Sequence, residues 1–563
     1  MTFTWTIVAL VVMLAIAWRF LGSYMAAVYE GRVRWLVRLE RPVYRVSGVD
    51  PDGEQTWQRY GVSVIAFSAV ALAISYAIFR LQEHLPFNPQ HLGAVPPALS
   101  WNTAVSFVTN TNWQAYSGES TMSYLSQMGA LAVQNFLSAA VGMAVAVALI
   151  RGFSRRGSAT IGNFWVDLVR GTMYVLLPIA FVAAIIFIGQ GALQTLGGPV
   201  HVHDALNGVR QVIPRGPVAS QEAIKQLGTN GGGFFNANGA SPFENPTGLT
   251  NLLSLVLILC IPVGLTYTFG KMTGSIRQGV AILSVMAIIF GAWLAVGTSA
   301  EHHANPAIAA AGVHAQPTGN MEGKEVRFGD TSSALYNIVS TQTSTGSVNS
   351  TLDSYTPVGG ATALTGMMLG EITPGGVGSG LYTILLFAII TVFVGGLMVG
   401  RTPEYLGKKI QAREVKLAAL GVLVMPITVL VLTAIAVAVH AGKAGPLNSG
   451  PHGFSEILYG FTSVTNNNGS AFAGLSANTP FYNVSMTFGL LLGRFAIMVP
   501  VLALAGSLAA KHTVAASVGT FRTDKPMFAG LLIGVIMIVG ALTFFPAISL
   551  GPIVEQLSNG RFF

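Results

Sequence analysis

Four short clusters of small and amide residues hold the side chains best suited to chemistry in this chain. They are Thr109-Asn110-Thr111-Asn112-Trp113-Gln114, Gly228-Thr229-Asn230-Gly231-Gly232-Gly233, Thr343-Ser344-Thr345-Gly346-Ser347-Val348-Asn349 and Thr465-Asn466-Asn467-Asn468-Gly469-Ser470. None contains a carboxylate. Their hydroxyl, amide and backbone oxygens are neutral ligands, and glycine permits the backbone angles that turn successive carbonyls toward one axis. Neutral oxygens suit a dehydrated monovalent cation, whereas a divalent ion recruits carboxylates.

Taken singly, each cluster reads as a surface turn. Positions 112, 231, 346 and 469 stand 119, 115 and 123 residues apart, which marks a divergent repeat about as long as two membrane spans and a loop. Each cluster also follows a stretch fit for a half-helix, at 100–107, 220–227, 332–339 and 455–461, three of them with Ser or Thr near the N-cap. Glu222 and Glu456 are expected in first turns, where the helix dipole favours anions. Such half-helices aim their negative ends at the clusters. Backbone of this irregular kind survives at membrane depth only where protein or water surrounds it, so the loops must line something.

The elements that hold these loops are membrane spans. Charged residues make up 9% of the 563, against about 25% in soluble domains, while apolar residues reach 52%. Ten stretches are long and apolar enough to cross a bilayer: 3–20, 62–79, 125–150, 173–188, 252–269, 280–296, 381–399, 417–439, 484–508 and 527–545. The 65 glycines suit closely approaching helices in lipid. The single cysteine, Cys260, lies in an apolar run and excludes an intramolecular disulfide or a cysteine-based metal centre. The expected class is an all-α polytopic membrane protein of about ten transmembrane helices.

Basic residues sort by loop. Arg32, Arg34, Arg38, Arg41 and Arg45 follow the first span, and Arg151, Arg155, Arg156, Lys408, Lys409, Arg413, Lys511 and Arg522 fall in later alternate loops. The positive-inside rule then places these loops in the cytoplasm and both termini outside. No basic run with interleaved aromatics points to nucleic acid, so the lipid bilayer is the expected environment.

Longer strings carry a resemblance. Asn110-Thr111-Asn112-Trp113-Gln114 with Tyr116-Ser117-Gly118-Glu119-Ser120, Gly228 through Asn238, Pro242-Phe243-Glu244-Asn245-Pro246-Thr247, and Asn467 through Leu475 resemble the KdpA family. These are the channel-like potassium-binding subunits of a bacterial potassium-importing P-type ATPase complex. The resemblance runs along essentially the whole chain. It implies the fold of the superfamily of potassium transporters, with four helix, pore-loop, helix repeats in pseudo-fourfold arrangement and two additional spans. The chain then divides into one integral membrane domain, 1–563, with a first span and cytoplasmic loop at 1–60, repeats at 61–150, 170–270, 280–400 and 416–510, and a last span and tail at 526–563. It implies a bacterial inner-membrane location, K+ as the transported ligand with no other cofactor, and three partners: the ATP-hydrolysing subunit KdpB and the accessory subunits KdpC and KdpF. The potassium ligands expected from the clusters are Asn110, Thr111, Asn112, Gln114, Thr229, Asn230, Gly231, Ser344, Thr345, Gly346, Asn467, Asn468 and Gly469.

ATP chemistry has no seat in the sequence. There is no phosphate-binding Gly-x-x-x-x-Gly-Lys-Ser/Thr string, and Asp524-Lys525 is followed by Pro526-Met527 rather than the Thr-Gly of a P-type phosphorylation site. ATP is expected to be used by the partner. A second function class stays open, a stand-alone potassium channel or ion-coupled secondary transporter.

Two more features interrupt apolar surroundings. Gly370-Glu371-Ile372-Thr373-Pro374-Gly375-Gly376 breaks a membrane-compatible run, and reads either as a surface loop or as an intramembrane gate that steers ions toward the partner. Arg494 lies inside a span, where it must face the interior. It reads either as a packing charge with a carboxylate partner or as a barrier below the filter. Glu119 has two readings as well, helix-start stabilisation or focusing of cations at the mouth. His302, His303 and His314 fit a solvated loop better than a metal site.

Overall fold

The computed structural model describes residues 3–203, 208–398, 400–514 and 521–558. Residue 399, the end of one expected span, lies outside them. Among the described residues, ten helices are long and apolar enough to cross a membrane, one at each position expected from the sequence. The chain is a multi-pass membrane protein.

A first helix, Phe3–Tyr29, and a short helix, Val37–Ser47, precede four units of one pattern. Each unit has an outer helix, a short pore helix, an extended loop and an inner helix. In the first unit these helices are Trp57–Leu81, Pro97–Val108 and Ser126–Ser154. The second has Phe164–Gly189, Val218–Leu227 and Gly248–Met272. The third has Ile276–His302, Gly329–Thr341 and an inner helix in two pieces, Pro357–Met368 and Ser379–Met398. The fourth has Ala412–Ala438, Gly450–Asn466 and Pro480–Ala510, and a last helix, Pro526–Ile548, completes the bundle. Among the described residues, strands are confined to two small antiparallel hairpins, Val200–His203 with Arg210–Ile213 and Glu404–Tyr405 with Lys408–Lys409.

Burial separates the two kinds of span. The most apolar windows of the first two inner helices are 89% and 94% buried, against 28% for the outer helices of units one and three, whose side chains are left to lipid. Small residues permit the tightest crossings: a Cβ on Gly22 would lie 2.5 Å from Gly264 O, and Thr268 Oγ1 donates to Gly22 O at 2.9 Å, docking the first helix on the second inner helix.

The pore helices lie where the half-helices are expected, but they start earlier and differently. Pro96, Pro217, Phe328 and Ser449 occupy the N-cap positions, and none makes a side-chain cap. Proline within the first turn of the first and fourth does part of that work, since it lacks the N–H that would otherwise need a partner. Glu222 and Glu456 consequently fall beyond the first turn. Glu456 accepts from Leu447 N at 3.1 Å, and Glu222 serves a lysine instead.

Candidate functional site

Each pore helix ends in the same backbone device. Two left-handed residues flank one ordinary residue: Asn110 and Asn112 (φ 65° and 55°), Thr229 and Gly231 (46° and 74°), Ser344 and Gly346 (57° and 75°), Asn467 and Gly469 (58° and 101°). The middle residue turns its N–H back to the carbonyl five positions earlier. Thr111 N bonds Ser106 O at 2.9 Å, Asn230 N bonds Lys225 O at 2.9 Å, Thr345 N bonds Ser340 O at 3.2 Å and Asn468 N bonds Ser463 O at 2.9 Å. Four chemically unequal loops therefore share one geometry, with the spacing anticipated from positions 112, 231, 346 and 469.

The loops meet in a closed ring. A Cβ on Gly231 would strike Thr345 O, one on Gly346 would strike Asn468 O, and one on Gly469 would strike Thr111 O. Glycine is required at these three places twice over, for its positive φ and for the approach of the next loop. Asn112 holds the fourth place, and its Nδ2 donates to Gly231 O at 3.0 Å, joining loop one to loop two. The carbonyl oxygens of Thr111, Asn230, Thr345 and Asn468 accept no hydrogen bond among the described residues, and all four residues are fully buried. Buried carbonyls of this kind are costly unless something coordinates them.

Side chains brace the ring. Asn110 Nδ2 donates to Thr229 O at 3.0 Å and Gly228 O at 3.3 Å, and Ser344 Oγ donates to the corresponding oxygens Asn467 O at 3.2 Å and Asn466 O at 2.9 Å. Gln114 Nε2 donates to Gly233 O at 3.1 Å while its Oε1 accepts from Gly233 N at 2.8 Å. Asn467 Nδ2 reaches Thr111 Oγ1 at 3.0 Å, and Asn230 Nδ2 reaches Asn110 Oδ1 at 2.5 Å. All thirteen expected ligand residues are thus in the four loops that converge here. Several of their amide side chains tie loops together, which leaves backbone oxygens as the most available ligands. Sequence reasoning missed Ser138 of the first inner helix, whose Oγ donates to Asn110 Oδ1 at 2.7 Å; a serine in an apolar helix gives no distinguishing signal.

Two cavities flank the ring. One, of about 800 Å3, touches the residues after the ring, including Asn112, Gln114, Gly232, Gly346 and Gly469. Glu119 stands at its wall, where it accepts from Asn236 N at 2.9 Å. The other meets residues before the ring, including Ser344, Thr465 and Asn467, and is lined by Gly370, Glu371 and Arg494.

The break in the third inner helix lies on that second side. Residues 370–376 are buried apart from a half-buried Gly370, so this segment is not a surface loop. Thr229 Oγ1 accepts from Val377 N at 2.9 Å, Gly375 N donates to Gln342 O at 3.0 Å, and Gly142 of the first inner helix leaves room for Val377 O. Arg494 is buried and makes no ion pair among the described residues. Its Nη2 donates to Ser138 O at 2.8 Å, so of the two readings the one with a carboxylate partner is not what the described residues show: a backbone oxygen of the first inner helix takes that place.

The model of the potassium-transporting ATPase A subunit family, KdpA, matches residues 7–557. The chain belongs to this family. A potassium-transporting ATPase potassium-binding subunit from Sorangium cellulosum is 56% identical over 558 residues, covering 96% of each chain. A relative of the same description from Granulibacter bethesdensis is 55% identical over 545 residues, covering 96% of this chain and 95% of its own. Among solved structures, the potassium transporter TrkH from Vibrio parahaemolyticus superimposes with a TM-score of 0.52 at 13% identity, covering 87% of this chain and 96% of TrkH. At that identity the likeness speaks for the fold alone.

Proposed function

We propose that this chain binds K+ from the outer side in the four-loop ring and passes it to a P-type ATPase partner for ATP-driven, high-affinity import. The observation that carries the reading is the ring of buried carbonyl oxygens from Thr111, Asn230, Thr345 and Asn468, which accept nothing from the protein. Carbonyls from four converging loops can replace the water shell of a monovalent cation. The relatives' description as potassium-binding subunits of a potassium-transporting ATPase names the same ion.

In this reading the ligands are the thirteen residues named above, with Glu371, Gly370 and Arg494 forming the barrier beneath them. Phosphoryl chemistry belongs to KdpB, with KdpC and KdpF as accessory subunits, in a bacterial inner membrane with both termini of this chain outside. The repeats run 61–150, 170–270, 280–400 and 416–510. A stand-alone channel needs no blocked exit, so the packed segment under the ring favours the pump over a channel, and the relatives' description as subunits of a potassium-transporting ATPase favours it over an ion-coupled secondary transporter.

The test is K+ binding to the purified complex carrying Gly231→Asp, whose side chain must enter the space held by Thr345 O. Affinity or K+/Na+ preference should fall by at least tenfold while the subunits still co-purify. Unchanged binding, or rapid K+ flux by this chain alone in liposomes without an ATPase subunit, would overturn the proposal.

A further inference from the structure

The backbone bonds that close the pore helices make Ser106, Lys225, Ser340 and Ser463 equivalent positions. Three are serine; the second unit alone places a lysine there. Its backbone carbonyl also accepts from Gly231 N at 3.2 Å, so this residue is bonded directly to the ring loop.

The lysine side chain is 1% exposed, and it is held by two carboxylates. Lys225 Nζ lies 2.6 Å from Glu222 Oε2 and is bonded by Glu244 Oε2. Both glutamates are buried to the same degree. One ammonium between two ionised carboxylates leaves an excess negative charge; burial, with Glu222 beside it, pushes the Glu244 carboxyl up to about 7 against the pull of Lys225, so the full excess is present above that pH. The network reaches two loops: Glu244 Oε1 accepts from Phe235 N at 2.7 Å, just past loop two, and Glu222 Oε1 accepts from Gln226 Nε2 at 2.9 Å. Gln226 Nε2 in turn reaches Ser347 Oγ of loop three at 3.0 Å.

Stability alone gives a poor reason for this arrangement. A buried ion pair recovers its desolvation cost only with good pairing, and a second carboxylate on the same ammonium adds cost without a matching cation. A cation in the adjacent ring would offset that excess. We propose that the Glu222, Lys225 and Glu244 triad acts as a net-negative positioning group that raises the ring's affinity for K+ without selecting among ions of equal charge. This rests on the reading of the four loops as a K+ site.

The test compares net charge with structure in the full-length chain within its purified complex, using 86Rb+ or K+ binding and K+-dependent ATP hydrolysis. Glu222→Gln removes the excess charge and should weaken K+ roughly tenfold, the order expected of one nearby charge at an effective dielectric near 20. The K+/Na+ preference should stay the same. Lys225→Arg keeps one cation between the two carboxylates and should leave affinity within about threefold of the unaltered complex. Glu244→Gln makes the same charge change as Glu222→Gln, retains an acceptor for Phe235 N and should weaken K+ equally. Unchanged affinity in either glutamine variant, or a loss in Lys225→Arg as large as in Glu222→Gln, would overturn the triad's role. An unaltered complex that binds no K+ sinks the reading of the four loops, and the triad with it.

Discussion

Asn468 Nδ2, from the fourth ring loop, donates to Glu371 Oε1 at 2.7 Å, tying the ring to the break in the third inner helix. The same amide nitrogen donates to Ser340 O at 3.0 Å, so Asn468 links the fourth loop, the third pore helix and the barrier segment. Glu371→Ala removes the buried acceptor and should cost about 1–3 kcal/mol of stability, read as a lower unfolding temperature of the purified complex. Glu371→Gln, which keeps an amide oxygen there, should recover most of that loss. Equal unfolding temperatures for the Ala and wild-type complexes would show the bond to be unimportant.

The ring glycines differ in kind from other left-handed glycines. Gly346→Ala and Gly469→Ala both strain φ and drive a methyl group into the carbonyl of the next loop, so K+ affinity should fall at least tenfold. Gly274 has a comparable φ of 75° but open space around it, and Gly274→Ala should cost only about 1 kcal/mol of stability with K+ binding intact. Similar effects at all three positions would refute the close approach of the loops.

Arg494 and the segment beneath the ring are proposed to stop direct passage. Arg494→Gln removes the buried positive charge and should increase passive K+ leak in liposomes several-fold. Deleting Gly370 through Gly376 should go further and uncouple ATP hydrolysis from transport. Wild-type leak and coupling in both variants would reject the barrier role.

Away from the ring, His452 sits between two carboxylates, with Nδ1 2.9 Å from Glu555 Oε1 and Nε2 3.1 Å from Asp353 Oδ1. Burial opposes its charge, but the hydrogen bonds to Asp353 and Glu555 outweigh it and push the imidazole pKa up to about 10. A raised pKa stabilises the fold fully below the ordinary value of 6.5. That contribution shrinks between pH 6.5 and about 10 and is gone above it. Unfolding temperature should therefore decline through this window, and His452→Gln should flatten the decline. An identical pH profile in the variant would count against the clamp.

Apolar run length made the spans legible in the sequence, because the hydrocarbon thickness sets a minimum that every crossing helix must meet. The repeat was legible too, since Gly231, Gly346 and Gly469 are imposed by backbone geometry that few other residues tolerate. Asn112 was harder to interpret: only the folded ring explains how an amide occupies a place where its counterparts are glycine. The pore-helix starts were misread because Ser and Thr suggest caps, while proline in the first turn lessens the need for one. A carboxylate partner was one of two sequence readings of Arg494, yet a main-chain oxygen from a residue 356 positions away answers it, and no local pattern announces such a partner. Lys225 was hidden for a similar reason, since its equivalence to three serines emerges only from the hydrogen bonds that end each pore helix.

Because the four quarters of the ring are written in one polypeptide, a single codon change alters one quarter and spares the rest. An assembly of four identical chains would receive every substitution fourfold. Asn112 is a product of that freedom: one station carries an amide in place of glycine while its three neighbours keep the bare backbone, and the circle still closes.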